Sequence, residues 1–170
     1  MRGLTFSAAT PADAEELAAI RNAVAADQLQ RFGLKSFNTT SRGILCDLRW
    51  GQILIARRKN PKAKGDQIVS SLLLVRKKPW AIDVSYFTPV EHPLYVRAMN
   101  TLPSLQRRGA GRRLLKFALT FVKPGGCDAL RLDAFDAPHG AGDFYLKCGW
   151  APRGRALFRN IPHLYFEHLL

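Results

Sequence analysis

The segment Gln106-Arg-Arg-Gly-Ala-Gly111 constrains this chain more than any other, because it joins a strand-like stretch to the start of an amphipathic helix. Upstream, Leu94 to Thr101 reads as a strand that Pro103 breaks. From Gly109 onward, Leu114, Leu115, Ala118, Leu119, Phe121 and Val122 recur at helical spacing. A helix amino end exposes unpaired N–H groups and carries roughly half a positive charge, so an exposed cation there costs about 0.3 to 1 kcal/mol. Arg107, Arg108, Arg112 and Arg113 all crowd that end. A phosphate-bearing ligand would reverse the sign of each contribution, and Gly109 and Gly111 leave the backbone open to its approach. The alternative is a surface helix with a basic end and glycines kept for packing.

Spacing excludes two better-known glycine motifs. A dinucleotide fingerprint needs a glycine where Leu114 stands, and a Walker phosphate loop needs Gly-Lys-Ser/Thr. Gln106-x-x-Gly109-x-Gly111 instead resembles the acyl-coenzyme A loop of the GNAT N-acetyltransferase superfamily, with the strand and Pro103 in their expected places. Ala141-Gly-Asp-Phe-Tyr145-Leu-Lys147-Cys-Gly149-Trp150 is similar to that family's later signature, Ala-x-x-x-Tyr-Glu-Lys-x-Gly-Phe, with Leu146 for Glu and Trp150 for Phe. The two matches come in the family's order, and the resemblance is specific from about Leu94 to Trp150.

The resemblance implies a mixed, mostly antiparallel twisted sheet flanked by helices, one α/β domain over residues 1–170, and acetyl-CoA as cosubstrate without a metal. Met99, Asn100 and Thr101 would pair with the pantetheine arm, while Gln106, Arg107, Arg108, Gly109, Ala110, Gly111 and Arg112 would form the pyrophosphate loop. Backbone N–H near Met99 and Asn100 would face the developing oxyanion. Tyr145 would protonate the departing thiolate, the alternative being a core tyrosine bonded elsewhere.

The general base is less legible. Histone-type members carry a glutamate on the strand before the loop, but Tyr95 occupies that position here. Glu91 lies eight residues before Met99, about 26 Å away if extended. Asp133 and Asp83 are the better candidates, each with a structural, hydrogen-bonded reading beside the catalytic one. Where many members place an asparagine seven residues before the tyrosine, this chain has Pro138, next to His139. His139 reads as a surface loop residue or as a substrate or cofactor contact. Trp80, Tyr86 and Phe87 flank Asp83 and suit an acceptor wall for a small-molecule or peptide amine, or else a core cluster.

Composition fits a globular enzyme, with 47% hydrophobic and 23% charged residues. No apolar run reaches the roughly 18 residues of a membrane span and no export signal precedes the domain, so the cytoplasm is the expected location. Cys46, Cys127 and Cys148 lack ligand spacing and read as buried fillers. A net charge of +13 suits either a polyanionic cofactor or a nucleic-acid binder. No nucleic-acid motif is present, and specific nucleic-acid binding is not expected. The rival functions are a nucleic-acid-binding protein and a non-catalytic acyl-CoA-binding domain; a homodimer is compatible with either enzyme or sensor.

The remaining chain reads as a strand over Leu4–Ala8, a helix capped by Thr10 to about Ala26, and a short helix capped by Ser41 through Leu48. Gln52–Arg57 and Gln67–Arg76 read as a hairpin, with Arg57, Arg58, Lys59, Lys62 and Lys64 in its loop. Pro79–Phe87 is an aromatic segment that reads as a strand and entrance loop. Ala129–Phe135 is a strand, and Arg155–Arg159 and Leu164–His168 form a final antiparallel pair.

Overall fold

Near-continuous apolar runs belong to strands buried on both faces, and this chain has two such runs in succession. Ile53 to Ala56 lie fully buried in β2 (Gly51–Lys59), and Ile68 to Val75 are buried along β3 (Asp66–Val75). The computed structural model describes residues 3–35, 38–59, 65–138 and 140–170. His139, Lys62 and Lys64 lie outside them. The other strands are β1 (Leu4–Ala8), β4 (Pro93–Thr101), β5 (Ala129–Phe135), β6 (Ala151–Phe158) and β7 (Ile161–Leu169). They form one mixed, mostly antiparallel sheet in the order β1-β2-β3-β4-β5-β7-β6, flanked by helices. Parallel pairing joins β4 to β5 at Pro93–Tyr95 and Ala129–Arg131.

The chain divides into two compact units, Met1–Leu74 with Ala98–Ala118, and Val75–Arg97 with Leu119–Leu170. In the first, Asp13 accepts from the Thr10 N–H at 2.8 Å and opens a 3-10 turn that runs into α1 (Ala14–Phe32). Leu17, Ile20 and Val24 form its buried stripe. The helix extends six residues beyond the expected end at Ala26, because its last turns rely on helix propensity and the Arg31–Asp27 pair (3.1 Å) rather than on apolar periodicity. Gly33, in a left-handed conformation (φ 68°), ends it. The α2 helix (Ser41–Trp50) is capped by Thr40, not Ser41: its hydroxyl accepts from the Gly43 N–H at 3.1 Å. Arg57 is a β2 residue paired with Asp13, and Arg58 and Lys59 are also in the strand, so none of the three belongs to the hairpin loop.

In the second unit, Pro79–Phe87 is not a strand. Asp83 accepts from the Ser85 N–H (3.0 Å) and hydroxyl (2.8 Å), which turns the chain into a 3-10 segment over Val84–Tyr86. The β6–β7 hairpin closes through Arg159 (φ 51°) and Asn160 (φ 62°), the paired positive angles of a two-residue hairpin turn. The cysteine expectation holds for buried Cys127 but not for Cys46, which is exposed, while Cys148 is half-buried. Among the described residues, no helix is long and apolar enough to cross a membrane.

Candidate active site

The glycine loop lies in the first unit. Ser70 Oγ donates to the Asn100 carbonyl (2.7 Å) and lies 2.9 Å from Thr101 Oγ1, and the Leu102 N–H donates to the Val69 carbonyl (3.0 Å). The carboxyl end of β4 is thereby fixed. Just before it, Ala98 adopts φ 45°, and its carbonyl accepts from the Asn100 side chain at 2.7 Å. A non-glycine residue held there stores about 1 to 3 kcal/mol of strain, a kind of outlier that gathers at functional sites. It adjoins the Met99 and Asn100 amides expected to meet an oxyanion.

Gln106 donates from its side chain to the Thr101 carbonyl (3.3 Å), Arg107 takes φ 56°, and Gly109 takes φ 83°. The chain then enters α3 (Ala110–Val122). A Cβ at Gly109 would meet nothing within 4 Å, so the glycine serves the backbone angle and leaves open space. Arg107, Arg108 and Arg112 are exposed, and the Arg113 guanidinium sits 5.4 Å from the Phe6 ring centroid. Four cations at this end cost up to about 4 kcal/mol, whereas burying Leu114 and Leu115 contributes about 3 to 6 kcal/mol. Packing therefore holds the helix despite its basic end, and that end fits an anion.

Tyr145 lies in the second unit, on α4 (Gly142–Lys147). Gly142 is buried so closely that an added Cβ would sit 3.0 Å from Leu164. This lets Tyr145 pack among Phe144, Phe166 and Trp150, with ring centroids 5.2, 5.5 and 6.0 Å away. Gly149 (φ 83°) turns the chain so that the backbone N–H of buried Trp150 donates to the Tyr145 carbonyl at 3.1 Å. Leu146, the departure from the usual glutamate, is exposed. Burial foremost, with the charges of Asp133 and Cys148, pushes the Tyr145 hydroxyl well above its ordinary value. It stays protonated, the form a proton donor needs.

A cavity of 430 Å³ also lies in the second unit, walled by Trp80, Asp83, Tyr86, Arg155, Phe158 and Tyr165 among others. The Tyr165 hydroxyl donates to the Ala81 carbonyl and accepts from the Asp83 N–H at 3.2 Å, which pins the aromatic segment over β7. An added Cβ at Gly154 would run into the Tyr86 ring. Trp80 is 84% exposed, leaving its ring free to meet a ligand. Phe87 instead is buried beside Tyr165 and under the Arg131 guanidinium (5.0 Å), and it does not line the cavity with Trp80 and Tyr86. Hydrogen bonds from the Ser85 amide and hydroxyl hold the exposed Asp83 carboxyl below its ordinary value. That suits a fixed negative charge better than a base.

Asp133 is 2.8 Å from His163 Nδ1. Sequence reading missed the pairing of Asp133 with buried His163: the two lie 30 positions apart, and only the β5–β7 register joins them. Tyr95 is buried and Glu91 is exposed; neither lines the cavity. Among the described residues no group of three or more His, Cys, Asp or Glu side chains is placed to hold a metal.

The sequence profile of the acetyltransferase (GNAT) family matches residues 46–150, more than half of the chain and inclusive of both glycine motifs. The chain belongs to the acetyltransferase (GNAT) family. Among solved structures, smu.2055 from Streptococcus mutans is 17% identical with a TM-score of 0.72, covering 97% of this chain and 98% of that one. YncA from Salmonella typhimurium, solved with its cofactor acetyl-CoA, is 14% identical with a TM-score of 0.67, covering 99% and 95%. The ribosomal-protein-alanine N-acetyltransferase from Brucella melitensis is 16% identical with a TM-score of 0.69, covering 98% and 99%. At these identities the likeness shows the GNAT fold. No curated protein is significantly similar in sequence.

Proposed function

We propose that residues 1–170 act as one acetyl-CoA-dependent N-acetyltransferase domain that passes the acetyl group to an amine by direct attack on the thioester. The observation that carries this reading is the loop before α3, where left-handed Arg107 and Gly109 lead into a helix amino end crowded with arginines. Acetyl-CoA bound there supplies an activated acetyl group, and its pyrophosphate matches the helix N–H groups and the guanidinium charges. The Met99 and Asn100 amides are the oxyanion donors in this reading, and Tyr145 gives its proton to the thiolate. The solved YncA complex with acetyl-CoA supports the choice of cosubstrate.

Acetyl-CoA at 100 times its dissociation constant is expected to stabilise the protein by about 2.7 kcal/mol in a thermal-shift titration. Gly111→Val should remove most of that gain by blocking approach to the backbone. Full stabilisation of a normally folded Gly111→Val protein would take the loop out of the reading.

The acceptor is a small-molecule or peptide amine with an apolar body, seated between Trp80 and Tyr86, its ammonium facing the Asp83 carboxylate. Trp80→Ala and Asp83→Asn are expected to raise KM for the amine at least tenfold while leaving KM for acetyl-CoA within about twofold. Parallel increases for both substrates would sink this assignment.

A further inference from the structure

The cavity under the aromatic segment is bounded by Ala156, Phe158 and Tyr165. In the β6–β7 register Ala156 stands opposite His163, and Tyr165 is two residues further along β7, so His163 points to the cavity's face of the sheet. Its ring lies between those of Phe135 (5.4 Å) and Phe158 (6.3 Å), which fix its plane. Asp133 reaches it diagonally across β5 and β7, at 2.8 Å from Nδ1.

We propose that His163, oriented by Asp133, is the general base that takes a proton from the acceptor ammonium, directly or across one water. The inference rests on the N-acetyltransferase reading. An ionised carboxylate only accepts hydrogen bonds, so Nδ1 carries the hydrogen and Nε2 keeps the basic lone pair. The other carboxylates of this face are committed. Asp83 is bound by Ser85, Glu167 is paired with Arg131 (2.9 Å) and Arg153 (2.8 Å), and Asp136 is paired with Arg155. The titratable and charged groups nearest the imidazole are Asp133 from β5, Tyr165 from β7 and Tyr145 from α4, both of which feel the Asp133 charge, and Arg159, whose guanidinium stands 5.4 Å from the Phe158 ring that packs on His163; Asp83, Tyr86 and Arg155 line the neighbouring cavity. Of these, Asp133 makes the direct contact, and its charge favours the imidazolium that forms.

The neutral imidazole accepts one proton from the ammonium, leaving a free amine. Its nitrogen lone pair attacks the thioester carbonyl carbon, and the carbon–sulfur bond breaks toward sulfur. Tyr145 protonates the sulfur and recovers a proton, through solvent, from the newly acylated nitrogen. The net release is the single proton on His163, which passes to water.

The test measures kcat/KM from about pH 5.5 to 9, a span that brackets histidine titration, for the most active of phenethylamine, spermidine and an alanine-initiated peptide. The wild type should show an acid limb of unit slope. His163→Gln should lose about 10²- to 10⁴-fold at neutral pH and follow the amine's own deprotonation, rising until that amine is itself deprotonated. Its stabilisation by acetyl-CoA should be unchanged. Asp133→Asn should move the acid limb to lower pH, since the imidazolium loses its neighbouring negative charge, and this readout stands even if His163→Gln does not fold. A wild-type limb and rate in folded His163→Gln, or an unmoved limb in Asp133→Asn, overturns the assignment of the base alone. No transfer by the wild-type protein to any of the three amines overturns the N-acetyltransferase reading, and His163 as base with it.

Discussion

Tyr145→Phe is expected to lower acetyl-transfer turnover by about 10²- to 10⁴-fold while leaving acetyl-CoA affinity nearly unchanged. The substitution removes one hydroxyl and keeps the ring that packs against Phe144, Trp150 and Phe166, so the fold should tolerate it. Because burial keeps the hydroxyl protonated, the wild-type rate should show no loss of this donor toward high pH within the stable range of the protein. Pre-steady-state kinetics at saturating amine separate the chemical step from product release. Wild-type turnover in the variant, with chemistry rate-limiting, would assign the proton to water.

Glu167→Ala is expected to cost about 3 to 5 kcal/mol of stability, measured by urea unfolding. The Glu167 carboxylate is fully buried, accepts from the Thr88 hydroxyl (2.8 Å), and pairs with Arg131, whose side chain is 5% exposed. Removing it strands the Arg131 charge in the interior. Arg131 also donates to the Thr88 carbonyl, so the loss should spread to the segment carrying the proposed acceptor wall. Burial works to raise the Glu167 carboxyl, but the Thr88, Arg131 and Arg153 contacts outweigh it and hold it below its ordinary 4.5. The contribution is therefore complete above about pH 4.5 and disappears as pH falls through the lower folded value. Wild type should lose stability in that acid range more steeply than the variant; equal acid sensitivity would contradict the role given to the carboxylate.

How much of this was readable in the chain depended on whether the controlling interaction was local. The loop at Gln106–Gly111, the strand Ala129–Phe135 and the Tyr145 segment are each written in consecutive residues: a proline break, glycines at left-handed positions, a helical apolar stripe. The six extra residues of α1 carry no such stripe, and only their cap at Gly33 marks where they end. Pro79–Phe87 has strand-like aromatic content, but the Asp83–Ser85 hydrogen bonds capture its backbone first. Phe87 was grouped with Trp80 and Tyr86 by proximity in sequence, whereas Arg131 and Tyr165 draw it inward. His163 emerges only from strand register, which no short window of sequence carries.

Gly154 gives the cavity proposed for the acceptor a control point that never needs to touch an acceptor. Because Tyr86 lies on the bare backbone at that position, the missing side chain sets how low the aromatic roof can settle. Any larger residue there would lift or tilt the tyrosine and change the clearance beneath it, with every wall residue still in place. Relatives that share the same wall but differ at this one strand position would then accept amines of different girth. Comparison of wall residues alone would overlook the difference.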